Sequence, residues 1–135
     1  MTFPLNRRRL LAWLGLAPAA AVAGATTAVT ATPPRRPVRV LFTRINGEAY
    51  YEMADSLATL VEGDPVTLRR EPDNVHDRRA IVATDANGRK LGYLARVDNS
   101  AVARMMDAGE RFQARVARID RRARDVRLAV DWLPS

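Results

Sequence analysis

The stretch from Leu68 to Arg96 reads LRREPDNVHDRRAIVATDANGRKLGYLAR and sets out most of the expected fold. Its first residues complete an apolar, alternating run that begins at Val66, a pattern typical of a β-strand. The sequence Pro72-Asp73-Asn74 must end this strand, because proline cannot join a central ladder and Asp and Asn favour turns. Two further runs flank Asp85-Ala-Asn87-Gly88, which is typical of a hairpin turn. The strands predicted here are residues 66–71, 79–84 and 90–95.

Apolar periodicity predicts three more strands on either side of this stretch. A first strand runs to about Ile45, and the last strand is expected to bury one face because its apolar and polar residues alternate. A turn at residues 120–124 joins the last strand to its partner. The apolar positions that define the first, fifth and sixth strands are Val38, Val40 and Phe42; Phe112, Ala114 and Val116; and Val126, Leu128, Val130 and Trp132.

Two segments show helical spacing. The first is expected to end at Glu62-Gly63, and the second to begin at Asp98 or Asn99, either of which can cap a helix, and to end at Gly109. Six short, mostly antiparallel strands with one or two short helices predict a mainly β fold, a small β-barrel. The apolar positions of the two helices are Met53, Leu57, Leu60 and Val61, and Val102, Met105 and Met106.

The amino terminus has the composition of an export signal. Arg7 and Arg8 precede two leucines and an alanine-rich apolar run that extends to Ala25, and this order resembles a twin-arginine signal. We expect residues 1–31 to be a signal peptide, cleaved between residues 23 and 31. Residues 32–37 are expected to be a linker and residues 38–133 the barrel. The alternatives are an uncleaved membrane anchor and a disordered basic tail.

Composition limits the chemistry that this chain can perform. The 135 residues include no cysteine and one histidine, so neither a disulfide framework nor a thiolate zinc site is expected. The sequence has no phosphate-binding loop of the G-x-x-x-x-G-K-[ST] type and no nucleophile-elbow motif. The 22 basic and 15 acidic residues give a net charge of +7. Removal of Arg7, Arg8 and Arg9 with the signal leaves 19 basic and 15 acidic residues, hence +4. Phosphate binding and a solvated arginine-rich surface both fit this charge.

Four separated elements of the quoted stretch resemble the signature of the HIRAN domain family. The resemblance extends over roughly residues 38–132 and implies an OB-like barrel. It also matches a tyrosine-bearing segment at residues 47–51 and a helix at residues 99–109. The elements that carry it are Arg70-Glu71-Pro72-Asp73-Asn74, Asp77, Ala80-Ile81-Val82 and Leu91-Gly92-Tyr93-Leu94.

The resemblance also implies a site. In DNA-binding members, the matching positions form a pocket for the 3′ end of single-stranded DNA, with aromatic rings around the terminal base. Asp77 matches the aspartate that accepts a hydrogen bond from the 3′-hydroxyl. The implied pocket residues are Tyr50, Tyr51, Asn74, His76, Asp77 and Tyr93. Independently of the resemblance, Arg44, Arg78 and Arg79 are candidate phosphate contacts, which could replace the positive charge that Ala49 does not supply.

Two positions depart from the family pattern. Ala49 stands where DNA-binding members carry an arginine, and His76 stands where they carry a tyrosine. The residues themselves also permit another role for the polar positions, since Asp73, Asn74 and Asp77 are suited to stabilising the turn after Pro72 through backbone hydrogen bonds.

The sequence therefore predicts a non-catalytic module that binds single-stranded nucleic acid at its 3′-hydroxyl end, without a cofactor or metal. The alternative is an exported, periplasmic module whose pocket holds another ligand or a protein partner. Under either hypothesis the expected partners include the twin-arginine translocase during export. We expect the mature form to be monomeric and not to span a membrane.

Overall fold

The computed structural model describes residue 33, residues 35–46 and residues 53–135 of the chain. Within these residues, six antiparallel strands close into a barrel in the order β1-β4-β3-β2-β5-β6, and β6 pairs back onto β1. The predicted mainly β barrel of about six strands with one or two short helices is confirmed, and two helices are present. The elements are β1 (Val38–Asn46), α1 (Met53–Thr59), β2 (Pro65–Arg70), β3 (Ile81–Thr84), β4 (Lys90–Leu94), α2 (Asn99–Asp107), β5 (Arg111–Asp120) and β6 (Asp125–Leu133).

The inward faces of the strands fill the barrel with aliphatic side chains. On β6, Val126, Leu128 and Val130 are fully buried, as their alternation predicts. Neither helix in the described part of the chain is long and apolar enough to cross a membrane. The largest fully buried apolar side chains are Ile45, Met53, Ile81, Leu91, Leu94, Leu128, Val82, Val116, Val126 and Val130.

β1 presents to solvent the apolar residues that identified it. Val38, Val40 and Phe42 are 48%, 38% and 51% exposed, whereas Ile45 is fully buried. A register shift between Arg39 and Leu41 interrupts the pairing of β1 with β6, and such a bulge changes which residues face inward. Because residues on both faces of this strand are apolar, the sequence pattern did not distinguish the core face.

The helices differ from their predicted ends in two details. α1 stops at Thr59, and Val61, predicted on its inner face, is 53% exposed, so that prediction was wrong. Asp98 occupies the position before α2, but its side chain makes no capping bond. Its carboxylate instead accepts a hydrogen bond from the hydroxyl of Thr43 at 2.8 Å, which ties α2 to β1. Gly109 follows the end of α2 with φ +90°, as predicted.

Candidate nucleic-acid site

The candidate site is built on the loop of residues 71–80, which connects β2 to β3 and is called the site loop below. Asn74 folds this loop back on itself: its Oδ1 accepts hydrogen bonds from the backbone N–H groups of His76 at 3.0 Å and Asp77 at 3.2 Å. This is the local side-chain-to-backbone bonding expected of Asn in a turn. The turn role that the sequence left open for Asn74 is therefore present in the structure.

The amide of Asn74 also joins the site loop to β4. Its Nδ2 donates to the hydroxyl of Tyr93 at 3.3 Å and to Glu71 Oε2 at 3.4 Å. The Tyr93 hydroxyl donates to the same Glu71 oxygen at 2.6 Å, and Lys90 Nζ donates to that hydroxyl at 2.7 Å. The hydrogen bond from Tyr93 lowers the pKa of Glu71, with help from Asn74, Lys90 and Arg69, against the raising effect of burial. Tyr93 is thus anchored by a charged network.

Asp77 is held as a carboxylate. Its Oδ1 accepts from the backbone N–H of Arg79 at 2.9 Å, and its Oδ2 accepts from Asn99 Nδ2 at 2.7 Å. Burial alone raises the pKa of Asp77, but these two hydrogen bonds and the positive charges of Arg96 and Arg79 outweigh it, so the pKa is lowered. Asp77 therefore remains an acceptor at neutral pH.

A pocket of about 410 Å³ opens beside Asp77. One carboxylate and three arginines line it, so its charge favours an anion, while the carboxylate supplies an acceptor. A second concavity, lined by Asn74 among others, shares Val75 and Arg78 with the first. The residues that line the Asp77 pocket are Val75, His76, Asp77, Arg78, Arg79, Arg96 and Asn99.

The structure brings some of the predicted site residues together and separates others. His76, Asp77, Arg78 and Arg79 line one pocket. Asn74 and Tyr93 are hydrogen-bonded to each other, but neither residue lines this pocket. Arg44 lies on β1 and does not line the Asp77 pocket. The predicted residues Tyr50, Tyr51, Arg7 and Arg8, as well as Ala49, lie outside the described residues.

Sequence reasoning missed three residues that line the pocket: the exposed Val75 and two polar residues, Arg96 and Asn99. Arg96 is the last residue of the quoted stretch. It directly follows the strand predicted at residues 90–95, and an arginine in that position is ordinarily solvated. The sequence predicts Asn99 as a possible helix cap. Its burial in the structure, with only 2% of the residue exposed, indicates the pocket-lining role instead. Its Oδ1 is buried without a hydrogen-bond partner in the described structure. The described residues contain no cluster of His, Cys, Asp or Glu suited to a metal ion.

Replacing Asn99 with alanine is expected to raise the pKa of Asp77, because one donor to the carboxylate is lost. A lowered carboxyl pKa contributes stability above the ordinary value of 3.8 and loses it as the pH falls. Asn99→Ala should therefore lower the free energy of unfolding by about 1 kcal/mol at neutral pH, with the difference fading in acid. NMR titration of the Asp77 carboxyl and denaturation at several pH values measure both effects. Arg104→Ala, an exposed change on the same helix, should alter neither quantity; an unchanged Asp77 pKa in Asn99→Ala would contradict the prediction.

The fold and this site define a small barrel module with a cationic pocket around one ionised carboxylate. The HIRAN domain model matches residues 38–132, and the chain belongs to the HIRAN domain family. A crystal structure of a protein from Lactobacillus plantarum is similar at TM-score 0.70 and 32% identity, over 74% of this chain and 98% of that one. The HIRAN domain of human HLTF is similar at TM-score 0.57 and 26% identity, over 68% and 73% of the two chains. No curated protein sequence matches significantly.

Proposed function

We propose that the chain is a non-catalytic nucleic-acid-binding module that holds the 3′-hydroxyl end of single-stranded DNA in the Asp77 pocket. Membership in the HIRAN family supports the nucleic-acid-binding class. The observation that carries the finer proposal is the ionised carboxylate of Asp77 in a pocket lined by Arg78, Arg79 and Arg96.

The chemistry of the pocket favours a hydroxyl end over a phosphate end. A carboxylate accepts hydrogen bonds but cannot donate them, and a terminal 3′-hydroxyl is a donor. A 3′-phosphate at the same point would place two negative groups together. Each oxygen of Asp77 accepts one bond from the protein, and since a carboxylate has about four lone-pair sites, it retains capacity for a ligand. The arginines supply positive charge for the phosphates that precede the end.

The remaining residues divide into those that face the ligand and those that shape the pocket. Val75 is 91% exposed, and with His76 it offers a surface for a terminal base. Both polar groups of Asn74 are already bonded within the protein, so we assign it to holding the loop and not to contacting the hydroxyl. The stacking roles proposed for Tyr50 and Tyr51 rest on the family resemblance.

Fluorescence anisotropy of the full chain tests this proposal with matched oligonucleotides that end in a 3′-hydroxyl or a 3′-phosphate. We expect the hydroxyl end to bind about tenfold more tightly, which corresponds to one hydrogen bond to a charged group. Asp77→Ala should abolish this preference. Asp73→Ala is the matched control, since Asp73 is an exposed aspartate of the same loop and should leave the preference intact. Equal binding of the two ends by the unmodified chain would refute end recognition.

A second proposal concerns the compartment, and the twin-arginine pattern at Arg7 and Arg8 favours it. As the alternative to DNA-end binding, we propose that the translocase exports the chain to the periplasm, where the same pocket holds a different ligand or a protein partner. Fractionation of cells should find the unmodified chain in the periplasm and an Arg7→Lys, Arg8→Lys variant in the cytoplasm. Retention of the unmodified chain in the cytoplasm would remove the basis for this proposal, and recovery with membranes would favour an uncleaved anchor.

A further inference from the structure

Three arginines lie side by side on the outer surface of the barrel, on adjacent strands. The register pairs Arg44 of β1 with Arg127 of β6, and Arg127 with Arg118 of β5. All three are exposed, and neighbouring strands lie about 4.8 Å apart. We call these three residues the arginine row. The sequence separates them by as much as 83 positions, so only strand pairing brings them together.

The arginine row retains positive charge within the described part of the chain. Like charges directly opposite each other destabilise a sheet, and one carboxylate offsets part of this repulsion: Asp125 lies 3.4 Å from Arg44 Nε and 3.1 Å from Arg127 Nε. Arg118 has no ion pair or side-chain hydrogen bond among the described residues. A row that is only partly compensated, at a cost to the fold, is suited to an anionic partner.

The neighbouring cross-strand row adds an aromatic face. It consists of Phe42, Ala129 and Arg115. Phe42 is 51% exposed, and the guanidinium of Arg127 lies 6.0 Å from the centre of its ring. Between them, Ala129 is only 2% exposed, so Phe42 and Arg115 are the exposed side chains of this row. Aromatic rings beside a basic groove are the combination with which single-strand binders stack bases and follow the backbone.

One end of the arginine row is adjacent to the Asp77 pocket. The backbone N–H of Ala95 donates to the carbonyl oxygen of Arg44 at 3.1 Å, and the next residue, Arg96, lines the pocket. The β1–β4 seam therefore brings the backbone of Arg44, at one end of the arginine row, within one residue of the pocket-lining Arg96.

We propose that the outer face of β1, β6 and β5, carrying the arginine row and Phe42, is a second contact surface for single-stranded nucleic acid. This surface would bind the phosphates and bases that precede the 3′ end held in the pocket. The inference therefore rests on the proposed function of the pocket. Charge complementarity with phosphate and the junction at Arg96 support a nucleic acid as the occupant. An anionic membrane surface is the competing occupant, because the 51% exposed Phe42 adds apolar area beside the arginines.

The test is the salt dependence of binding by the full chain to single-stranded oligonucleotides of about 3 and about 20 nucleotides, lengths below and above the roughly 4–16 nucleotides that one OB-type barrel contacts. Each phosphate contact contributes about 0.7 to the slope of log K against log salt. Arg118→Ala should lower the slope by about 0.7, and Arg118→Ala with Arg127→Ala by about 1.4, for the long oligonucleotide only. Arg89→Ala, at the far tip of the β3–β4 hairpin, should leave the slope unchanged.

The outcomes separate this proposal from the one on which it rests. If the double variant lowers the slope as expected but the 3′-hydroxyl and 3′-phosphate ends bind equally, the second contact surface is supported and end recognition is refuted. An unchanged slope for the double variant overturns the surface. It is also overturned if the double variant loses binding to phosphatidylglycerol vesicles while its binding to the long oligonucleotide is unaffected, since the face would then be a membrane surface.

Discussion

Replacing Gly92 with alanine is expected to lower the free energy of unfolding by roughly 2–6 kcal/mol, the sum of backbone strain and overpacking. Gly92 lies in β4 with φ +143°, which side-chain-bearing residues rarely adopt. A Cβ at this position would approach the carbonyl oxygen of Asn46 to 2.4 Å and Ile45 Cγ2 to 2.8 Å. Both contacts belong to β1, and the carbonyl oxygen is backbone. The β1–β4 seam would therefore have to open.

The consequence of Gly92→Ala extends to the site, because the same seam positions Tyr93 and Arg96. Chemical denaturation of the full chain measures the loss. Gly88→Ala is the matched control: Gly88 also has positive φ, +80°, but a Cβ there meets nothing within 4 Å. Gly88→Ala should lower the free energy of unfolding by about 1–2 kcal/mol, because only backbone strain acts there. Equal losses for the two variants would show that the close approach to β1 does not limit the fold.

Replacing Arg70 with alanine is expected to lower the free energy of unfolding by roughly 2–4 kcal/mol and to loosen the site loop. The guanidinium of Arg70 is largely buried, with 13% of the side chain exposed. It forms a two-pronged pair with Asp107 at 2.9 and 3.1 Å. It also donates to the carbonyl oxygens of Ala80 at 2.6 Å and Arg78 at 2.9 Å. One side chain thus fastens the end of the site loop to β2 and α2.

The effect of Arg70→Ala should appear in stability and in ligand binding together. Arg70→Lys should recover little, since an ammonium cannot reproduce the planar fork. The neighbouring Arg69 is the control: its side chain is 70% exposed and makes one ion pair, with Glu71 at 3.1 Å. Arg69→Ala should change the free energy of unfolding by no more than about 1 kcal/mol. A loss in Arg70→Ala no larger than in Arg69→Ala would contradict the fastening role.

The hairpins and the site loop could be predicted because their signals are local. Pro72 ends β2, and the turn before Gly88 joins β3 to β4, as predicted. Asp85 supports that turn by accepting from the backbone N–H groups of Asn87 and Arg89. Such contacts join residues a few positions apart, so the pattern of residue types contains them.

The site was only partly predictable because its contacts cross the fold. Asp77 and Asn74 were identified through the resemblance, but the hydrogen bond from Asn99 to Asp77 joins residues of a loop and a helix. Arg96 becomes part of the pocket only after β4 pairs with β1. Phe42 is 51% exposed, although its place in an apolar alternation gave no sign of this.

The sequence by itself determined the number of strands, their order along the chain, the turns between them and the family. These features depend on residue type and spacing along the chain. Only the tertiary structure decided which polar residues meet. Strand pairing placed Arg44, Arg127 and Arg118 in one row, and the packing of α2 brought Asn99 against Asp77. Long-range contacts of this kind depend on register and closure of the barrel, and a one-residue change of register would have turned the same side chains to the opposite face.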